Sequence, residues 1–218
     1  MRIYIVTACW IGLYQSLIVT VGSWYPICPE TDVRVKSSGA QAPPPHQCKT
    51  HTHLQTLHAR LIRSGLDRDP FLAEPFITSC FDQRDPARAR LAFLNQADPP
   101  SISLWNTMLR GLVSADRTRE ALRFYGLMRA EGLSPTHFTF PFVLKACARL
   151  VDLKLGRRIH THVWKCGFES DVFVKTSLVG LYAKCGSLVD AHEMFDEMQV
   201  RNAVSWTALI TGYMENGC

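Results

Sequence analysis

At 218 residues the chain is long enough for one or two hydrophobic cores, and an apolar fraction of 47% with five tryptophans excludes general disorder. Its formal charge of +5, from 24 Lys and Arg against 19 Asp and Glu, inclines it toward polyanions without making a basic tail. The eight cysteines, at 9, 28, 48, 80, 147, 166, 185 and 218, are scattered with no Cys-x-x-Cys pair, so buried free thiols are expected in place of a disulfide framework or zinc site.

In chain order, residues 3–29 carry no charged side chain and are long enough to cross a hydrocarbon layer of roughly 30 Å as a helix. Gly12, Gln15, Gly22, Ser23 and Pro26 interrupt the run and only Arg2 precedes it, so a membrane segment, a signal-like leader and an extension without a role all stay open. The run lacks the arginines and amphipathic pattern of a mitochondrial transit peptide. SSGAQAPPPHQ, at 37–47, cannot continue a helix and reads as a linker closing a non-repeat segment over residues 1–47.

Beyond the linker the chain repeats itself. LHARLIRSGLDRD at 57–69 overlies IHTHVWKCGFESD at 159–171 at an offset of 102, pairing His58 with His160, Gly65 with Gly167 and Asp69 with Asp171. At that offset Phe71 falls on Phe173, Ala89 on Ala191 and Phe93 on Phe195, while Trp105 and Gly111 fall on Trp206 and Gly212 at 101. Such a distance is too long for one supersecondary unit, and it divides into 102–136, 137–171 and 172–202, of 35, 35 and 31 residues. Each unit holds two apolar-periodic runs parted by a bend, at 115–118, 150–153 and 184–187, which predicts three helical hairpins. Ala121, Leu122, Tyr125 and Met128 gather on one face of a second helix, as do Ala191, Phe195 and Met198. Gly132, Pro135 and Gly167 are placed to end second helices. Cys147, Cys166 and Cys185 stand 19 apart in segments of helical pattern, where a cysteine packs as a small apolar side chain.

These residues resemble a plant pentatricopeptide repeat protein of the subclass that alternates standard, long and short repeats. SLWNTMLRGL with EALRFYGLMRAEGLSP is similar to the standard repeat, FTFPFVLKACARLVDLKLGRRIHTHVWKCGF to the long one, and VFVKTSLVGLYAKCGSLVDAHEMFDEM to the short one. On this reading 102–136 is standard, 137–171 long, 172–202 short and 203–218 an incomplete standard unit, with degenerate long and short units at 48–69 and 70–101. The tetratricopeptide repeat is the nearest alternative, but its uniform period of roughly 34 residues fits neither the unequal units nor Pro141 in an opening helix.

The resemblance implies an all-α, right-handed α-solenoid of stacked helix-turn-helix repeats that binds single-stranded organellar RNA, one repeat to a base, in mitochondrion or chloroplast. It implies a relation to C-to-U RNA-editing specificity factors, RNA-editing accessory proteins as partners, and no DNA, cofactor or metal. Membrane contact arises only if 3–29 is retained as a helix. The family's reading pair is the fifth and last residues of each repeat, with the second residue packing on the base. That carries over to Asn106 and Thr136 with Ser103, leaning to a pyrimidine, although Thr136 replaces the usual Asp or Asn. It also carries over to Thr176 and Asn202 with Phe173 stacking, a combination assigned to adenine, and to Val204 and Thr207 in the incomplete unit. Pro141, with Asp171, has no edge-reading group and is expected to be a spacer, and Glu74 and Ser101 depart from the pattern.

Residues 102–202 hold 14 Lys and Arg against 10 Asp and Glu, enough for salt-sensitive phosphate attraction. The histidines of HTH at 51–53 and 160–162 stand two apart, which on a helix sends them to nearly opposite sides and argues against a metal pair. His-x-Glu and Pro-Cys-x-x-Cys, the marks of a zinc deaminase, do not occur, nor does a nucleophile elbow or Walker loop, so no catalysis is assigned. The last unit stops at Cys218 after one helix where a solenoid needs a polar cap, so a truncated product is expected. A protein-binding scaffold and a non-functional fragment are the competing readings.

Overall fold

The computed structural model describes residues 51–67, 69–96 and 99–217, all within one compact unit. The leader and linker over 1–47 and the thiols at 9, 28, 48 and 218 lie outside the described residues. Among those described there are ten helices and no strand, and no helix is long and apolar enough to cross a membrane. α1 is His51–Ser64, and four hairpins follow: α2 (Pro70–Asp82) with α3 (Pro86–Leu94), α4 (Ile102–Ser114) with α5 (Thr118–Ala130), α6 (Thr139–Leu150) with α7 (Leu153–Lys165), and α8 (Val172–Lys184) with α9 (Leu188–Asp196). α10 is Ala203–Glu215.

Short polar side chains start these helices. Asp69, Asp85, Ser101, Asp152, Asp171 and Asn202 each accept a hydrogen bond from a backbone N–H of the first turn, answering donors that have no partner within the helix. One turn geometry then closes every hairpin. A left-handed residue, Arg84, Asp116, Val151 or Gly186, lets the next N–H reach five residues back, from Asp85 to Cys80, Arg117 to Leu112, Asp152 to Cys147 and Ser187 to Tyr182. The bends expected from the sequence therefore fall between α4 and α5, α6 and α7, and α8 and α9. Gly132 and Gly167, at φ of 79° and 76°, end α5 and α7 by the same closure.

The hairpins stack in two layers. The first helices α2, α4, α6, α8 and α10 lie side by side in one, and each second helix packs against its own first helix and the next one along. This is a helical solenoid, and its core is continuous from Leu54 to Leu209. Trp105 sits between Phe93 of the preceding hairpin and Phe124 of its own, with ring centroids 4.8 and 4.4 Å away. Its counterpart Trp206 meets Phe195 at 4.6 Å and is otherwise open: Trp206, Ile210 and Met214 are 50%, 53% and 72% exposed, where Trp105, Leu109 and Val113 are buried.

Close approach of first helices depends on small residues. A Cβ on Gly212 would stand 2.3 Å from the Cβ of Ala183 on α8, and one on Gly111 would enter the Phe81 ring on α2. Cys80 and Cys147 are buried free thiols, and burial pushes Cys147 up to about 12. Cys166, read as part of a helical segment, instead occupies the C-cap of α7, and Cys185, within the bend expected at 184–187, occupies that of α8; both are half-buried. Tyrosine–histidine bonds join neighbouring hairpins: Tyr125 Oη to His162 Nδ1 at 2.6 Å, Tyr182 Oη to His160 Nδ1 at 2.7 Å, and Tyr213 Oη to His192 Nδ1 at 3.1 Å.

Gly212→Ala should lower the stability of the chain by about 1–3 kcal/mol in urea unfolding, since the Cβ it would meet belongs to a residue with no side chain to swing aside. A pH dependence follows from the histidines. Burial disfavours the charged imidazoles of His160 and His162 and lowers both from the ordinary value of 6.5, so they bind a proton less readily folded than unfolded. Their contribution is complete above that value and lost as pH falls through it, so the melting temperature should drop from about pH 7.5 to about pH 5.5. A double His160→Gln, His162→Gln variant should flatten that drop.

Candidate nucleic-acid interface

The first turns of the first helices repeat one arrangement. Phe71, Ser103, Phe138, Phe173 and Val204 take the second position of successive units and are all exposed, the three phenylalanines by 89%, 63% and 69%. Three residues on, one turn further along the same side, come Glu74, Asn106, Pro141, Thr176 and Thr207. Four of these five second positions thus leave an apolar side chain on water, and four of the five positions beside them carry a polar one. A groove of about 660 Å³ runs across α6, α8 and α10, lined by Pro141, Thr176, Val204 and Thr207, with Lys145, Arg149 and Lys184 further along. Ser103 and Asn106 lie on α4, outside that lining.

Hydrogen bonding sets what each polar residue has left to offer. Thr176 and Thr207 donate to the carbonyls of Val172 and Ala203, both at 2.7 Å, so each faces outward as an acceptor. Asn202 caps α10 through Oδ1, which accepts from Ser205 N–H at 2.9 Å, and its Nδ2 is the donor end. The backbone N–H of Asn202 in turn donates to Ser205 Oγ at 3.1 Å, completing a capping box. Thr176 and Asn202 are not hydrogen-bonded to each other through any of these contacts. Asn106 and Thr136 are: Nδ2 of Asn106 reaches Thr136 Oγ1 at 3.4 Å, and the hydroxyl of Thr139 donates to Asn106 Oδ1 at 2.7 Å. Thr139 also accepts from Thr136 N–H at 3.0 Å. The structure thus brings the first pair together, whereas Thr176 and Asn202 each bond within their own helix start and share no hydrogen bond.

Charge along the groove is mixed. Lys184 is tied to Glu215 at 2.8 Å, and Arg149 to Asp116 at 3.2 Å and to the carbonyl of Val113. Lys145 is exposed on α6 and lines the same groove.

A family profile described as "PPR repeat family" matches residues 100–149, and one described as "PPR repeat" matches 173–202 and 204–218. Over these residues the chain matches pentatricopeptide repeats. Among curated relatives, the Arabidopsis thaliana pentatricopeptide repeat-containing protein At2g39620 is 39% identical over 79% of this chain and 20% of its own length. At2g36730 is 38% identical over 78% of this chain and 34% of its own, and At1g08070, chloroplastic, 38% identical over 73% and 22%, both from the same plant. The chain therefore spans between a fifth and about a third of the length of these relatives. Of solved structures, the pentatricopeptide repeat protein PPR10 in complex with an 18-nt psaJ RNA element superposes with a TM-score of 0.64 at 17% identity, over 78% of this chain and 26% of that one. PPR10 from maize superposes with a TM-score of 0.60 at 18% identity, over 76% and 25%. At such identity the likeness is one of fold.

Within these pentatricopeptide repeats the sequence reading overlooked Phe138, Thr139 and Ser205. Phe138 could have been found by carrying the second-position register through the long unit, and Ser205 from the Asn-x-x-Ser spacing of a cap. Thr139 carries no signal of its own, because its partners lie 33 and 3 residues away on different elements.

Replacing the capping side chain separates its structural part from any other. Asn202→Ala should cost about 1 kcal/mol in chemical unfolding, whereas Asn202→Asp, which still caps, should stay within about 0.5 kcal/mol of the parent.

Proposed function

We propose that the first-helix face of this chain binds single-stranded RNA, one unit to a nucleotide, with bases packing on Phe138, Phe173 and Val204 and Ser103 in the equivalent place. The observation that carries the reading is the recurrence of an exposed second-position side chain beside a polar pair whose hydrogen-bonding ends are already assigned. Stacking on such rings contributes about 1–3 kcal/mol per base in single-strand binders, and the bases of single-stranded RNA are free to supply both face and edge.

The short unit makes the sharpest match. Thr176 offers an acceptor and Asn202 a donor, which complements the amino donor and N1 acceptor of adenine and opposes the N1–H donor of guanine. In the standard unit Asn106 offers an N–H to the carbonyl oxygen of a pyrimidine, with Thr136 alongside. Val204 and Thr207 continue the row on α10. Lys145 is placed to meet phosphate. The RNA-bound neighbour of the same fold and the pentatricopeptide relatives, one of them named chloroplastic, support an organellar RNA as target. We place the chain with the specificity factors of C-to-U editing, in chloroplast or mitochondrion, where it selects the RNA and a partner performs the chemistry.

Binding of short single-stranded RNAs differing at one nucleotide tests this across a salt series. Affinity should fall with salt, and the nucleotide opposite residues 172–202 should favour adenine. Asn202→Asp keeps one oxygen on the cap and turns the other into an acceptor, so the preference should move to guanine by about tenfold. A preference at every nucleotide that ignores this substitution ends the reading.

A further inference from the structure

We propose that Thr139 is a positioning residue for base choice: its buried hydroxyl determines which end of the Asn106 amide faces a nucleotide. The proposal rests on the RNA-reading role given above to Asn106 and Thr136, and adds to it a residue that no nucleotide would touch. An asparagine can turn its amide by half a revolution and present a carbonyl where it had presented an NH2, which inverts the base edge it complements. A reading position of this kind is useful only if something else holds it.

Thr139 is 0% exposed and sits in the first turn of α6, one hairpin beyond Asn106 on α4. The contact of 2.7 Å between its Oγ1 and the Asn106 side chain is the ordinary length of an O–H···O bond and shorter than N–H···O bonds usually run, so it selects the amide oxygen for the buried side. The hydroxyl is held in turn by Thr136, whose N–H donates to it at 3.0 Å and whose own hydroxyl lies 3.2 Å away. Nδ2 has only the longer contact of 3.4 Å with Thr136, which leaves it an N–H for a ligand.

The junctions between hairpins form an internal series. Ser205, the third residue of the incomplete unit, is also 0% exposed and bonds the backbone N–H and C=O of Asn202, while its own N–H holds the Asn202 amide oxygen. At the junction between them the third residue is Val174, with no hydroxyl, and the capping residue is Asp171, which accepts from Phe173 and Val174 through one carboxylate oxygen. A carboxylate has two like oxygens and no orientation to choose. A buried hydroxyl thus occurs at the third position next to both reading amides and is missing where the side chain is symmetric.

Thr139→Val keeps the shape and removes the hydroxyl. It is to be compared, in the full chain, with Thr139→Ser and the parent on four RNAs varying at the nucleotide whose preference moves on Asn106→Asp. In Thr139→Val, discrimination at that nucleotide should fall about two- to tenfold, discrimination opposite Asn202 should be unchanged, and Thr139→Ser should restore the parent's pattern. Undiminished discrimination in Thr139→Val overturns the proposal, as does an equal loss at both nucleotides together with a lowered melting temperature. The free chain gives a reading that needs no RNA: the Asn106 side-chain NH2 resonances should move or double in Thr139→Val and stay put in Thr139→Ser. A parent that distinguishes no nucleotide removes the RNA reading, whereas identical Asn106 resonances in all three chains remove the role of Thr139 itself.

Discussion

Two helices of about a dozen residues cannot bury both flanks of either one, so every hairpin here depends on its neighbour for part of its core. Leu104, Met108 and Leu112 are buried on α4, which packs against α2, α5 and α6, and Val174, Leu178 and Tyr182 take the same place on α8, two hairpins on. The difference between Trp105 and Trp206 illustrates that dependence: the same residue in the same register is buried where α5 adds Phe124 and half open where, among the described residues, Phe195 is the ring it meets. Contacts between first helices carry much of this burden, and Gly111 and Gly212 allow two of them to close up: a Cβ at either would run into Phe81 on α2 or Ala183 on α8.

The row of polar residues follows from a second constraint, the unanswered N–H groups that open every helix. Four first helices, α2, α4, α8 and α10, are capped by the last residue of the preceding unit, Asp69, Ser101, Asp171 and Asn202, so at Asn202 the residue proposed to read a base is also a cap. Capping takes one hydrogen-bonding group and leaves the other. An asparagine, with unlike groups at its two ends, is thereby given a polarity, and the fold makes this choice before any ligand arrives.

Local chemistry and periodicity were enough to read the helical hairpins, while their stacking into a solenoid came from the family resemblance. The 3.6-residue pattern of Ala121, Tyr125 and Met128 and the glycines at 132 and 167 name the faces and ends of helices from within single segments, and all of these residues do what the pattern implies. Three of the four hairpin turns were legible although two of their left-handed positions are Asp116 and Val151, because the break in apolar period marks a bend whatever residue adopts it; the turn at Arg84 was not read. What stayed out of sight is pairwise and distant. The bond between His160 and Tyr182 joins residues 22 apart, and that between Thr139 and Asn106 joins residues 33 apart. Neither leaves a trace in a window of one helix. Cys166 was misplaced for a related reason: a helix continued by pattern overruns its own C-cap, where a half-buried residue still looks periodic.

The long unit shows how position and chemistry can come apart. Pro141 faces the groove with no group able to read an edge, and from sequence it looks like a gap in the row. Yet Phe138, three residues earlier, is as open as Phe173 in the next unit, and the two first helices are in contact. Under the RNA reading, a base passing this hairpin would still find a ring to rest on, and stacking is indifferent to which base it is. Such a unit adds affinity without selecting, and it keeps the nucleotides on either side in register with Asn106 and Thr176. Discrimination would then be carried by the units with reading pairs, and holding the strand would be shared by all of them.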